Sequence, residues 1–181
     1  VKRAAEQIGK GADKYAMHVK GLEVPGYEPR AVKGYALSYA VSPMGAQHNW
    51  GRPSDELTRA RDPLTDEGHG EYIISVAKRQ VMNDNILECV FANSGLTPEV
   101  RNQLVVAASG FEEFGDPAYL DRLAERVICL ERAFNIREGF SRKDDTLPER
   151  FLTEPLLDAG PATGEVAVSY THLTLPTNRE V

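Results

Sequence analysis

Residues 116–139, DPAYLDRLAERVICLERAFNIREG, decide the fold class. Asp116 followed by Pro117 is a helix start, because an aspartate accepts from the orphan N–H groups of the first turn and a proline at the first helical position has none to lose. Leu120, Leu123, Val127, Leu130 and Phe134 then recur at three-four spacing, which predicts a long helix with these residues on its core face, and Gly139 ends it. Cys129, between Val127 and Leu130, reads as core packing. Upstream, Thr97-Pro98-Glu99 announces another helix by the same chemistry. Before it, a helix is expected from about Glu71 to Phe91, with Ile73, Ala77, Gln80, Asp84, Leu87 and Phe91 on one face. A carboxylate inside a buried stripe is costly without a partner, so Asp84 is expected to meet a donor, a cation or a ligand.

Towards the N-terminus, Val32, Ala36, Leu37 and Ala40 mark a helix that Pro43 stops. A short helix ends near Gly9 and Gly11, and Tyr15–Val19 is a compact apolar run, a candidate strand. Residues 21–30, GLEVPGYEPR, carry two prolines and two glycines and read as a loop that presents side chains. Residues 43–67 are a longer polar loop containing His48 and the single tryptophan, Trp50; loops of that length in compact domains are usually functional or disordered. Residues 140–164 read as extended and loop-like, with Asp144-Asp145 as a solvated turn. The expected class is mainly α: an irregular helical domain with long active-site loops.

The chain has 181 residues, 21 Lys+Arg against 27 Asp+Glu and 41% hydrophobic residues. That suffices for a core, and the net charge of −6 gives no electrostatic support for nucleic acid or an anionic membrane as partner. No apolar run nears the ~20 residues of a membrane span, and no signal peptide is visible, so a soluble cytoplasmic protein is expected. The chain opens on Val1 in what reads as mid-helix, which suggests missing upstream sequence. The Thr-rich end from Val168 to Val181 reads as non-native read-through, so the domain is drawn as residues 1–165 with a tail of 166–181.

Cys89 and Cys129 are the only cysteines, too few for a self-contained Cys-based metal site. Cys89 is either a buried free cysteine or a thiolate ligand to an iron–sulfur cluster or soft metal. On an unbroken helix Asp84 and Cys89 would lie ~140° apart, so both face one ligand only if the helix ends near Cys89. His48 is either a surface histidine or a proton carrier, and Tyr27 either caps the core or offers a phenol O–H to a carbonyl oxygen. His18 and His69 show no metal-ligand spacing and read as structural or exposed.

Three strings carry a resemblance: HVKGLEVPGYEPRAVKGYALSYAVSPMGAQH (18–48), DNILECVF (84–91) and ERAFNIREGFSRKDDTLPERFLTEPL (131–156). In this order they closely resemble the C-terminal part of the tungsten-containing aldehyde ferredoxin oxidoreductase family. The resemblance implies a helical, cofactor-covering domain of an enzyme that oxidises small aldehydes to carboxylic acids at a tungsten (or molybdenum) bis-pterin centre. It also implies a 4Fe-4S cluster, with electrons passed to ferredoxin. Asp84 and Cys89 fall on the family's Asp-x-x-Gly-Leu-Cys motif, which implies a pterin hydrogen bond for Asp84 and the fourth cluster ligand for Cys89. Backbone contacts from Glu88 and Val90 to the pterin go with that motif. Leu87 stands where the family often has glycine, and Glu88 where an apolar residue is usual. His48 matches a histidine beside the tungsten, and Tyr27 a tyrosine near the metal in some members. The other three cluster cysteines and the first domain are absent from this sequence, so the polypeptide is expected to be inactive alone and to need the N-terminal and middle domains as partners. A homo-oligomer is compatible with the family. Two rival readings are the active-site subunit of an aryl-CoA reductase and a non-catalytic helical interaction domain.

Overall fold

The computed structural model describes residues 1–92 and 95–167. Residues 168–181, most of the segment read as a non-native tail, lie outside the described residues, whereas Ala167 is buried and donates its N–H to Phe151 O at 2.8 Å. Seven α-helices and one small hairpin follow in chain order among the described residues: α1 (Lys2–Ile8), β1 (His18–Val19), β2 (Leu22–Glu23), α2 (Lys33–Val41), α3 (Ser54–Leu57), α4 (His69–Asn85), α5 (Pro98–Ser109), α6 (Pro117–Arg137) and α7 (Glu149–Thr153). The mainly α class holds. Of the apolar run Tyr15–Val19, only His18 and Val19 are strand, paired with Glu23 and Leu22.

The centre of the molecule is α2. Its residues from Lys33 to Ala40 are all buried, and small side chains such as Gly34, Ala36 and Ala40 let α4 and the 42–68 segment approach closely. Tyr35, Leu37 and Tyr39 fill the space with Val19, Trp50, Ile73, Ala77 and Val81. A glycine is obligatory at Gly45, with φ +92°, where a Cβ would fall 2.2 Å from Val19 O.

The long 43–67 segment is not a loose loop. It folds around a buried carboxylate: Glu56, in α3, accepts the Gly34 N–H at 2.9 Å and sits 2.8 Å from His69 Nε2, with Arg61 Nε 3.8 Å away. Glu56 and His69 are both fully buried, so this cluster fastens α3 to the starts of α2 and α4.

Three helical expectations need correction. α4 stops at Asn85, not Phe91, and Asp84, Leu87 and Phe91 are exposed; the buried stripe runs through Ile73, Val76, Ala77, Val81 and Met82. On α6 the inward residues are Ala124 and Ile128, followed a turn later by the half-buried Glu131 and Asn135, while Leu130 and Phe134 are 66% and 64% exposed. Of the predicted stripe, Val127 packs against the core and Leu120 and Leu123 are half-buried, so the reading fails only at its C-terminal members, where the inward face is partly polar. Cys129 is consequently exposed, not core.

Asp145 is the fourth correction. Its carboxylate is nearly buried and paired with Lys20 at 2.8 Å and Arg132 at 2.7 Å. Lys20 also donates to Ala40 O at 2.6 Å. Burial holds the Lys20 ammonium below the ordinary lysine range, against the pull of Asp145. The pairing pins the hairpin turn, in which Lys20 and Gly21 both have positive φ (50° and 89°), as a tight two-residue turn demands.

Candidate active site

Two groups of candidate residues occupy different parts of the chain. The first forms where the 21–30 loop meets the 43–67 segment. The Tyr27 ring stacks on the His48 imidazole with centroids 5.8 Å apart and planes at 25°. Tyr27 also lies 4.9 Å from the Tyr35 ring, which stacks on Tyr39 at 5.0 Å. Tyr35 O–H reaches His48 O at 3.4 Å and Tyr39 O–H reaches Tyr27 O at 3.5 Å, so two buried phenols on α2 hold the backbones of the two loop residues. Both phenols stay protonated at any physiological pH: burial pushes Tyr35 up to about 12, against nearby Arg52, and raises Tyr39 further. Tyr27 and His48 remain partly open to solvent. Tyr35 and Tyr39 were missed from sequence, although their i, i+4 spacing on a helix of small residues was the available signal.

The second group is the end of α4. Helix α4 closes in a Schellman turn, with Glu88 N donating to Asn83 O at 2.9 Å and Leu87 N to Asp84 O at 3.2 Å. Leu87 takes the left-handed position at φ +59°, which glycine ordinarily fills. The helix thus ends four residues before Cys89, the condition under which Asp84 and Cys89 escape the angular separation of a continuous helix. Both are exposed, which corrects the expectation of a buried Asp84 and the buried reading of Cys89. Asp84 Oδ1 accepts from Gln80 Nε2 at 2.8 Å, a surface contact rather than a buried need.

Sequence reasoning also missed Glu131, on α6. Burial, and then the nearby Asp84 carboxylate, raise its pKa above the ordinary carboxylate range, and its Oε2 is buried without a hydrogen-bond partner among the described residues. Both Glu88 carboxylate oxygens are likewise buried and unpartnered. No signal in the sequence distinguished Glu131 from the other acids of α6. His69 is buried with Glu56 and serves the scaffold.

Among the described residues no three His, Cys, Asp or Glu side chains gather to hold a metal ion. What the α4 end offers is one accessible thiol and one accessible carboxylate. In general chemistry a thiol, once deprotonated, is a donor for soft metals and a carboxylate accepts from N–H groups.

Comparison with known proteins bears on this geometry. The family model described as "Aldehyde ferredoxin oxidoreductase, domains 2 & 3" matches residues 1–176. The chain is 34% identical over 171 residues to the tungsten-containing aldehyde ferredoxin oxidoreductase of Thermococcus kodakarensis, covering 91% of this chain and 27% of that protein. It is 33% identical over 168 residues to the protein of the same description from Pyrococcus furiosus, covering 90% of this chain and 27% of the relative. The aliphatic sulfonate oxidoreductase, WOR-like subunit, of Pyrococcus furiosus is 31% identical over 175 residues, covering 90% of this chain and 25% of the relative. The chain thus spans about a quarter of the length of the curated relatives it matches. No helix among the described residues is long and apolar enough to cross a membrane.

Proposed function

The chain belongs to the aldehyde ferredoxin oxidoreductase family, an oxidoreductase family, and on that premise we propose that it is the helical part of an enzyme oxidising aldehydes to carboxylic acids. The observation that carries this reading is the Tyr27–His48 stack, two proton-handling groups side by side on loops anchored to buried α2.

A tungsten bis-pterin with a 4Fe-4S cluster, bound jointly with the remainder of the enzyme, would supply the two-electron oxidation and the single-electron outflow to ferredoxin. Asp84 would accept hydrogen bonds from pterin N–H groups, and Cys89 would ligate the cluster as thiolate. Backbone groups of Glu88 and Val90 would border the pterin. At the other group, the Tyr27 phenol donates to the aldehyde oxygen and orients the carbonyl, while the His48 imidazole takes a proton as the acid product forms. Tyr35 and Tyr39 hold these two side chains in register through their backbones. Burial and then the Asp84 charge hold the Glu131 carboxyl above the ordinary carboxylate range. The substrate class rests on the aldehyde-named relatives; the sulfonate-named relative matches the same region and makes the loop around His48 the segment to test.

The test uses the full-length enzyme. His48→Ala is expected to lower aldehyde turnover by about 10²-fold or more, the range for loss of a general acid–base group, with tungsten content unchanged. Cys89→Ser is expected to lower iron content. Normal turnover in the first variant removes His48 from the chemistry, and unchanged iron and activity in the second return Cys89 to a structural role and favour a non-catalytic domain.

A further inference from the structure

A cavity of about 470 Å³ opens between the start of α3, the middle of α4 and the first turns of α5. Three arginines from three separate segments converge on it: Arg52 ahead of α3, Arg79 on α4 and Arg101 on α5. No Asp or Glu is among its described lining residues. None of the ion pairs within 4.0 Å among the described residues includes any of the three. Arg101 Nη1 donates to Asn83 Oδ1 at 2.9 Å, and Asn83 is itself buried, so the Arg101 fork is held in place. Arg52 Nε is out of contact with water and has no acceptor among the described residues, although the Arg52 side chain also meets the Tyr35 phenol. A buried guanidinium N–H without a partner is a standing demand for an acceptor.

Two acids of the adjoining groove are already engaged. Glu99 lines the adjoining groove rather than this cavity, and its own backbone N–H and the Thr97 hydroxyl hold its carboxylate below the ordinary range. Asp121 is paired with Lys78 at 3.0 Å. On a chain of net charge −6, an uncompensated cluster of three guanidinium groups is therefore a local inversion of sign.

We propose that this cavity is a binding site for an organic phosphate, a ligand bearing two or more negative charges on one oxyanion group. Charge and size select this class. A single carboxylate would leave two of the three arginines uncompensated, whereas a phosphate ester or diphosphate offers enough oxygens for several planar forks at once. The volume exceeds that of a bare oxyanion and lies in the range of small-ligand pockets. Val76, Val90, Leu96 and Pro98 form an apolar wall for the carbon part of the ligand. The site itself needs neither a metal nor a thiolate, although Val90 belongs to the segment assigned to the pterin.

The experiment titrates inorganic pyrophosphate into the full-length enzyme at about 0.15 M salt, where exposed-charge effects are largely screened, and follows thermal unfolding and calorimetric heat. The expected result is saturable stabilisation, weakened about tenfold or more in Arg79→Gln. Arg79 is exposed, so this variant folds; Arg52→Lys, which keeps the charge and loses the fork, is expected to fall between the two. Absence of stabilisation, equal binding by Arg79→Gln, or acetate acting as strongly as pyrophosphate would overturn the proposal. In the full-length enzyme, phosphorus retained through gel filtration and lost in Arg79→Gln with tungsten content unchanged assigns the ligand to a tightly held cofactor of this cavity. Phosphorus that washes out, with pyrophosphate still binding afterwards, assigns it to a dissociable metabolite.

Discussion

Replacing Leu87 by glycine should stabilise this protein, although it deletes a large apolar side chain. Leu87 occupies the left-handed position of the Schellman turn at φ +59°, where a Cβ crowds the following carbonyl at a penalty of about 1–2 kcal/mol. The side chain is 92% exposed, so its removal forfeits almost no burial. Against that gain, glycine loses about 0.5–1 kcal/mol more backbone freedom on folding. The difference is about 0.5–1 kcal/mol of net stabilisation. At about 2–4 °C per kcal/mol for a domain of this size, the midpoint should rise by about 1–4 °C. Thermal and urea unfolding of Leu87→Gly beside Leu87→Ala is the assay. Alanine keeps the Cβ and hence the strain, so it should change the midpoint little. A lower midpoint for the glycine variant, or an equal rise in both, would refute the turn argument and show that Leu87 packs against something in solution.

Glu131→Gln should change the pH dependence of stability. The folded-state pKa of Glu131 is raised by burial and then by Asp84, so its favourable contribution is full below the unfolded carboxylate range and is lost as pH rises through the folded value. Urea midpoints measured from acid to neutral pH should therefore show the Gln variant gaining on the parent as pH increases, and parallel curves would sink the idea. Gly34→Ala should destabilise by about 1–3 kcal/mol, because a Cβ there would stand 2.7 Å from both Glu56 carboxylate oxygens and from Pro53 Cβ. Gly70→Ala, in α4 with open space around it, should instead gain up to about 1 kcal/mol, and the pair of melting temperatures checks that the cause is the buried carboxylate rather than helix propensity.

Local chemistry was the legible part of this fold. Thr97 and Asp116 cap α5 and α6 through their side chains as their sequence contexts predict, accepting from Val100 N and Ala118 N. Pro43 follows the end of α2 at Val41, and the class came from helical spacing alone. Faces were harder. On α6 the sequence offers two stripes, and the one with Leu130 and Phe134 is the more apolar, yet the fold turns Ala124, Ile128 and the polar pair Glu131 and Asn135 inward. Asn135 has its own reason, since Nδ2 donates to Pro43 O at 2.7 Å across 92 residues of chain. A hydrogen bond of that separation leaves no periodic trace.

The candidate residues divide along the same line between short-range and long-range information. Tyr27, His48, Asp84 and Cys89 lie in strings whose order can be recognised, and the stacking of Tyr27 on His48 follows once both loops are tied to α2. Glu131, Tyr35 and the three arginines of the cavity carry no motif: each matters through what a distant segment places beside it. Arg79 alone on a helix surface is a solvated side chain, and so is Arg101 four residues after Thr97. Only when α4 and α5 converge on the segment ahead of α3 do these charges share a cavity with no acid among its described lining residues. A folded protein does not retain such a concentration of like charge for stability, since repulsion among the guanidinium groups opposes the packing that creates it. No acid lines the cavity among the described residues, so the charge that meets these arginines is either a bound anion or a carboxylate reaching in from beyond the lining, and saturable pyrophosphate binding by the full-length enzyme distinguishes the two.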